Sequence, residues 1–145
     1  MISQGDLALQ IIDTGQDPNR LGRWSWTLFR GKNNVKLRVV SIYRAKKPQD
    51  GGPRRAYCQQ QQALLKLGIA DSPDENFWKE LWNEVEKWTE SGDQIVLCGD
   101  WNHDVRTPAI LNQFQQYNLI PAITSRHDSS QVTKVDRQER QSIKI

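Results

Sequence analysis

The chain has 145 residues, 37% of them hydrophobic, with 20 basic and 17 acidic side chains and a formal net charge of +3. This length favours a single domain, and a mean hydropathy of −0.75 places it at the polar end of globular proteins. Because no run of about 18 apolar residues occurs, the composition excludes a transmembrane helix. Residues 1–10 lack the basic start and long apolar core of a signal peptide.

The N-terminal part of the chain predicts a small antiparallel sheet. Residues 7–12 form a short apolar run that favours a strand, and a loop with proline follows at 17–19. Residues 23–30 and 35–44 are rich in β-branched and aromatic side chains and predict two further strands. The two asparagines at 33–34 tolerate the positive φ that a tight hairpin needs. We therefore expect these two segments to pair antiparallel.

A loop and a first helix are predicted next. Residues 45–54 contain two prolines and two glycines, which are typical of a loop. The following segment, 55–68, predicts a helix that ends at Gly68, a natural C-terminal cap. Its four consecutive glutamines, 59–62, are interpreted as a solvated turn of that helix.

The second helix has the clearest signals in the chain. Ser72 is a suitable N-cap, Pro73 occupies the first helical position, and Glu75 follows three residues after the cap. The helix is predicted to stop near Gly92. Its apolar stripe predicts a face packed against a sheet, and a platform for stacking nucleic-acid bases is the weaker alternative. The stripe consists of Phe77, Leu81, Val85 and Trp88, widened by Trp78 and Trp82.

A fourth predicted strand ends in the most informative residues of the chain. Four apolar residues in succession, 95–98, favour a strand covered on both faces, and Gly99 lets the backbone turn where it stops. Cys98 is then expected to be a buried thiol, with a disulfide to Cys58 as the alternative. Two cysteines without zinc-ligand spacing favour an intracellular location, cytoplasmic or nuclear.

The C-terminal part predicts little structure. Thr107 and Pro108 predict the start of a short helix that runs to about residue 117. From Ser125 onward the chain is polar and lacks periodicity. Residues 126–145 are therefore predicted to be a loop or a disordered tail.

Asp100 and Asn102 have two interpretations. After a strand, a Gly-Asp-x-Asn sequence is often only a turn, with the Asp or Asn capping the next helix. Alternatively, two residues two apart in extended backbone point to the same side. An anionic acceptor and an amide so placed can hold a water or a phosphoryl oxygen beside a metal ion.

The order of these elements resembles a known enzyme superfamily. Gly-Arg-Trp at 22–24, Val-Val-Ser-Ile-Tyr-Arg at 39–44 and Gly-Asp-Trp-Asn-His-Asp at 99–104 are separated by a hairpin and two predicted helices. This arrangement is similar to the middle of an endonuclease/exonuclease/phosphatase domain, most closely the branch of retroelement endonucleases. The similarity spans roughly residues 20 to 125.

The resemblance implies a fold, a reaction and a cofactor. The implied fold is an α/β two-sheet sandwich flanked by helices, with residues 1–125 as a partial domain. The implied reaction is Mg²⁺- or Mn²⁺-dependent hydrolysis of a phosphodiester bond in nucleic acid, in this case DNA. By resemblance, Asp100 orients or deprotonates the attacking water, Asn102 steadies the water and the phosphate, and Tyr43 contacts the phosphate.

The chain also departs from the pattern of that superfamily. A metal-binding Glu and an Asn are expected on strands before the hairpin, but residues 1–22 do not supply them. The closing Asp-His pair is missing as well, since His127 and Asp128 occur in the reverse order and too early. We therefore expect a central fragment, incomplete at both ends, with no metal ligands assigned and with weak or no activity alone.

The charges are unevenly distributed along the chain. Residues 20–55 carry eleven Arg or Lys against one acidic residue, whereas residues 71–104 carry ten acidic residues against two Lys. The basic block is interpreted as a phosphate-backbone contact or, alternatively, as a solvated loop. A non-catalytic nucleic-acid-binding remnant and a non-functional fragment are the alternatives to an enzyme. The candidate nucleic-acid contacts are Arg44, Lys46, Lys47, Arg54 and Arg55.

Overall fold

The computed structural model describes residues 5–49 and 55–122. Arg54 and the tail predicted at 126–145 lie outside these residues. Within this part of the chain, none of the helices combines the length and apolar character needed to cross a membrane. In chain order, the elements are β1 (Ile11–Gln16), β2 (Trp24–Arg30), β3 (Lys36–Tyr43), α1 (Ala56–Lys66), α2 (Pro73–Glu90), β4 (Asp93–Asp100) and α3 (Pro108–Gln116).

The four strands form one open mixed sheet in the order β1-β2-β3-β4. The β1–β2 and β2–β3 pairs are antiparallel, and β3 pairs with β4 in parallel. Parallel neighbours need a long crossover, usually helical, and here it contains α1 and α2. The α/β class is therefore confirmed. The described residues contain this one sheet, so the second sheet of the predicted sandwich stays a prediction.

Local sequence signals explain the hairpin and α2. Asn33 and Asn34 both have positive φ, 56° and 60°, in the β2–β3 turn, as predicted. At the start of α2, the Ser72 hydroxyl accepts a hydrogen bond from the Glu75 backbone N–H, and the Glu75 carboxylate accepts one from the Ser72 backbone N–H. This reciprocal capping satisfies two N–H groups at the helix start, so the predicted capping box is confirmed.

The core lies between α2 and one face of the sheet. The predicted stripe of Phe77, Leu81, Val85 and Trp88 is buried, with no side chain more than 5% exposed. Edge-to-face aromatic contacts join the layers, with ring centroids 5.7 Å apart for Trp24 and Phe77 and 6.2 Å apart for Trp26 and Trp88. The interpretation of the stripe as core is therefore confirmed.

Two buried arginines tie the sheet to its surroundings, and neither was predicted from the sequence. Arg23 donates to the Asn76 side chain on α2 at 2.7 Å and binds the carboxylates of Asp17 and Glu80. Arg38 donates twice to the carboxylate of Asp93. A buried guanidinium needs such partners because burial without them is costly.

The indole rings of Trp26 and Trp88 also contact Arg38, and the guanidinium carbon lies 4.0 Å and 5.0 Å from the two ring centroids. These cation–π contacts add to the ion pair with Asp93. Arg38 thereby links β2, β3, α2 and β4.

Three expectations about burial and strand position are wrong. The predicted strand at 7–12 is a 3-10 helix at Gly5–Gln10, followed by β1 at Ile11–Gln16. Strand β4 is an edge strand of this sheet and not a central one. Val96, 46% exposed, and Cys98 alternate onto its face opposite α2 and are exposed instead of buried. Gln60, predicted to be solvated, is buried and donates to the Leu21 carbonyl at 3.1 Å. Cys98 and Cys58 are both free thiols.

The chain divides into two compact units at the boundary between His103 and Asp104. The first unit contains the sheet, α1 and α2. The second contains α3, which starts at Pro108 as predicted and whose buried side chains are Ile110 and Phe114.

Candidate functional site at the C-terminal edge of β3 and β4

Two predicted site residues meet where parallel strands end. Tyr43 and Asp100 are register partners at the ends of β3 and β4. Side chains directly opposite each other on neighbouring strands point to the same face, and both of these are exposed. The Arg44 backbone N–H then donates to the Asp100 carbonyl at 2.9 Å. The C-terminal edge of adjacent parallel strands is a common location for ligand sites in α/β sheets.

Gly99 allows this close approach. Its φ is +140°, which L side chains rarely adopt, and a Cβ atom there would lie 2.0 Å from the Ile42 carbonyl oxygen of β3. Because that contact is with backbone, a side chain could not be accommodated by a rotamer change. Glycine is therefore required at the last step before Asp100.

Asp100 and Asn102 form a hydrogen-bonded turn. The Asp100 carboxylate accepts from the Asn102 backbone N–H at 3.0 Å and from the Asn102 side-chain amide at 3.2 Å. The same amide donates to the Arg44 carbonyl at 2.8 Å. Asn102 has a φ of 45°, so the backbone is not extended. The two side chains lie together as expected, but they do so in a turn and not in extended backbone.

Arg44 follows β3 directly and is buried, so it does not fit the solvated loop that was one of the two interpretations of the basic block. Its guanidinium donates to the Asp74 carboxylate on α2 at 2.7 Å and to the carbonyls of Trp101 and Asn102 at 3.5 Å and 3.3 Å. These bonds point inward because the residue directly after β3 is enclosed between α2 and the turn. Its predicted contact with nucleic acid therefore has no support in its surroundings.

Three stacked tryptophans lie beside the turn. The Trp78 ring on α2 is nearly parallel to those of Trp82 and Trp101, with centroids 5.9 Å and 5.8 Å away. The His103 ring contacts Trp78 edge-on at 6.3 Å. His103 thus lines the loop after β4. The spacing of Trp78 and Trp82 indicated that they share a face of α2. It did not indicate that Trp78 stacks on Trp101.

The remaining predicted contacts are partly described. Lys46, Lys47 and Arg55 are exposed. The two lysines follow Tyr43 by three and four positions, so they leave the sheet from the same edge as the candidate site. Cations there would attract a phosphate backbone without base specificity.

One ionisable group next to this region has a shifted pKa. Burial, followed by the negative charge of Asp74, raises the pKa of Tyr57 on α1 above its ordinary value of 10.0. The charge of Arg44 acts in the opposite direction. Tyr57 therefore remains a neutral phenol beside the Arg44–Asp74 pair.

The described residues offer an incomplete set of metal ligands. They contain no group of three or more His, Cys, Asp or Glu side chains that could hold an ion. The donors at this edge are the Asp100 carboxylate and the Asn102 amide. Mg²⁺ needs six oxygen ligands, several of which are commonly water and substrate phosphate. Asp100 could supply one of them, but these donors alone do not make a metal site.

Comparisons with known proteins add no identification. The chain matches no protein-family model, no curated protein and no solved structure.

Proposed function

We propose that the C-terminal edge of β3 and β4 is the phosphate-handling part of an endonuclease-like, metal-dependent phosphodiesterase that acts on DNA. The observation that carries the proposal is the register pairing of Tyr43 with Asp100 at this edge, with Asn102 bound to the Asp100 carboxylate. Tyr43 and Asp100 then lie on one face of the sheet at this edge, and Asn102 is bonded to the acid. The motif order of the superfamily described above supports the same chemistry.

Each side chain has a defined part in this proposal. A carboxylate oxygen has two lone pairs, so Asp100 can accept a hydrogen bond from a water while it holds Asn102. Asp100 then orients the attacking water and takes its proton. The Tyr43 hydroxyl donates to a phosphoryl oxygen, and Asn102 fixes the carboxylate in place. These three side chains do not by themselves supply the metal ligands that the reaction requires.

The proposal includes a second sheet on the face of β3 and β4 opposite α2. Val39 and Val96 are register partners whose alternation places them on that face, and Val96 is 46% exposed. In a two-sheet sandwich, such apolar side chains pack against the inner face of the other sheet. That sheet would also carry the missing metal ligands. The two free thiols fit an intracellular location, cytoplasmic or nuclear.

Nicking of supercoiled DNA by the purified chain tests the proposal. Any nicking should require Mg²⁺ or Mn²⁺, cease in a chelator and be lost in Asp100→Asn, which keeps the side-chain shape but removes the negative charge. With one carboxylate donor, we expect DNA binding with weak or no turnover. Nicking that persists in the chelator or in Asp100→Asn would contradict the proposed roles.

A non-catalytic nucleic-acid-binding remnant is the second candidate. It is favoured by the exposed side chains of Lys46, Lys47 and Arg55 and by the incomplete donor set. The two candidate functions differ in whether supplying the missing metal ligands gives an active enzyme. In a longer form of the protein that carries the missing metal ligands, Mg²⁺-dependent nicking should be seen for a phosphodiesterase but not for a binding remnant.

A further inference from the structure

We propose that Arg44 is a positioning residue that holds the Asp100–Asn102 turn in place from α2, with Asp74 as its anchor. The role rests on the proposed function, since it assigns Arg44 to the same site. It differs from the expectation that Arg44 binds the DNA backbone directly. Together, Arg44, Asp74 and the turn at residues 100–102 form what we call the Arg44 clamp.

Arg44 makes four hydrogen bonds to the turn through three of its atoms. Its backbone N–H binds the Asp100 carbonyl at 2.9 Å, and its own carbonyl accepts the Asn102 side-chain amide at 2.8 Å. One guanidinium nitrogen donates to the carbonyls of Trp101 and Asn102, at 3.5 Å and 3.3 Å. Every residue of the turn is therefore bonded to Arg44.

The second terminal nitrogen of the guanidinium, Nη2, connects the turn to a rigid element. It donates to the Asp74 carboxylate at 2.7 Å, and Asp74 lies in the first turn of α2. A carboxylate is favoured there by the helix dipole. The guanidinium carbon also lies 5.8 Å from the Trp78 ring centroid, and Trp78 stacks on Trp101. The turn is thus attached to α2 by an ion pair and by aromatic stacking.

Arginine suits this position because of its shape as well as its charge. Its planar guanidinium presents several N–H donors in fixed directions, whereas a lysine ammonium is a compact charge on a flexible stem. A lysine at position 44 could keep the charge but could not reach Asp74 and the two carbonyls in the same geometry. Charge and geometry can therefore be separated by Arg44→Lys.

Nuclear magnetic resonance of the full chain tests the clamp without DNA. The readout is hydrogen exchange of the Asn102 side-chain amide relative to the slowest backbone amides of α2. In Arg44→Lys and Asp74→Ala, we expect exchange at Asn102 to accelerate about tenfold, in keeping with the loss of a hydrogen bond, with no comparable change in α2. The matched control is Asp71→Ala, because Asp71 pairs with the exposed Lys79 at 3.1 Å and does not contact Arg44.

A salt titration of DNA binding separates positioning from direct phosphate contact. If Arg44 positions the turn, Arg44→Gln should leave the slope of log affinity against log salt unchanged. The double variant Lys46→Ala/Lys47→Ala should lower it. A phosphate contact at Arg44 would instead lower the slope by about one unit in Arg44→Gln.

The outcomes decide the clamp and the proposed function separately. Unchanged Asn102 exchange in both Arg44→Lys and Asp74→Ala would overturn the clamp, and so would exchange that rises equally throughout α2, which indicates only global destabilisation. A reduced salt slope in Arg44→Gln would overturn it as well. Absence of DNA binding by the unaltered chain would contradict the proposed function, while the exchange measurement would still decide the clamp.

Discussion

Gly99 sets how closely β4 can approach β3 at the candidate site. In Gly99→Ala, the new Cβ would lie 2.0 Å from the Ile42 carbonyl oxygen, at a φ of +140°. We expect a loss of about 3 kcal/mol or more in the free energy of unfolding from backbone strain and overpacking. Denaturant unfolding monitored by tryptophan fluorescence measures it.

The matched control for that substitution is Gly68→Ala after α1. Gly68 also has a positive φ, +75°, but a Cβ there would have open space around it. Only the left-handed backbone is then penalised, by about 1 kcal/mol. Equal losses in the two variants would show that the contact with Ile42 does not matter.

Tyr57 gives a pH dependence whose sign follows from its environment. Burial, and then Asp74, raises its pKa above 10.0, so the folded chain keeps the phenol proton where the unfolded chain releases it. The contribution of the neutral Tyr57 phenol to the free energy of unfolding is fully present below pH 10.0. It is lost as the pH rises through the folded-state pKa of Tyr57. Urea unfolding from pH 8 to pH 11 should show a steeper alkaline decline in the unaltered chain than in Tyr57→Phe. Parallel declines would contradict the shift.

At the scale of elements, the sequence predicted secondary structure better than it predicted burial, because the signals for secondary structure are local. The caps of α2 and the asparagines at 33–34 act within a few residues, so the sequence contains the whole cause of the helix start and the hairpin. Whether each face of β4 is covered, and whether another strand pairs with its outer edge, depends on elements that are distant in the sequence. A run such as 95–98 therefore could not distinguish a central strand from an edge strand.

For the candidate site, too, the sequence predicted the residues at the strand ends but not the direction of a buried side chain. Asp100, Asn102 and Tyr43 were found because they follow two strands that the sequence defines. The direction of the Arg44 side chain could not be predicted, because it depends on Asp74, which lies thirty positions further along the chain. The same holds for Arg23 and its partners on α2. Basic residues next to a predicted loop cannot be sorted into exposed and buried without those partners.

The packing of α2 on the sheet is tested by Trp88→Ala. Trp88 is 5% exposed and contacts both Trp26 and Arg38. Its truncation should cost about 3–5 kcal/mol. The control is Glu86→Ala on the exposed side of the same helix, which should change stability by less than about 0.5 kcal/mol. A thermal melt that is the same for both variants would show that Trp88 does not hold α2 to the sheet.

At the scale of the whole molecule, basic side chains lie at both ends of the sheet. Lys46 and Lys47 are exposed after the C-terminal edge of β3, while the opposite edge, around the β2–β3 turn, has exposed Arg30, Lys32 and Lys36. Charge alone therefore does not determine where a phosphate backbone would bind. The arrangement of Tyr43 and Asp100 favours the first edge.

Two sets of substitutions separate binding from the carboxylate chemistry. Lys46→Ala/Lys47→Ala should weaken DNA binding and lower its salt slope by up to about two units. Asp100→Asn should leave binding intact or slightly tighter, because one repulsion of phosphate is removed. A salt-titrated binding assay measures both. A large loss of affinity in Asp100→Asn, or none in the lysine variant, would be inconsistent with the proposed surface.

Mapping of amide chemical shifts during titration with a short DNA duplex at low salt tests the central proposal most directly. The account predicts that the shifts cluster at the C-terminal edge of β3 and β4, at Tyr43, Lys46, Lys47, Asp100 and Asn102. The basic residues at the opposite edge provide an internal comparison in the same experiment. Shifts confined to Arg30, Lys32 and Lys36, or no shifts at all, would contradict the assignment of the phosphate-handling site to this edge.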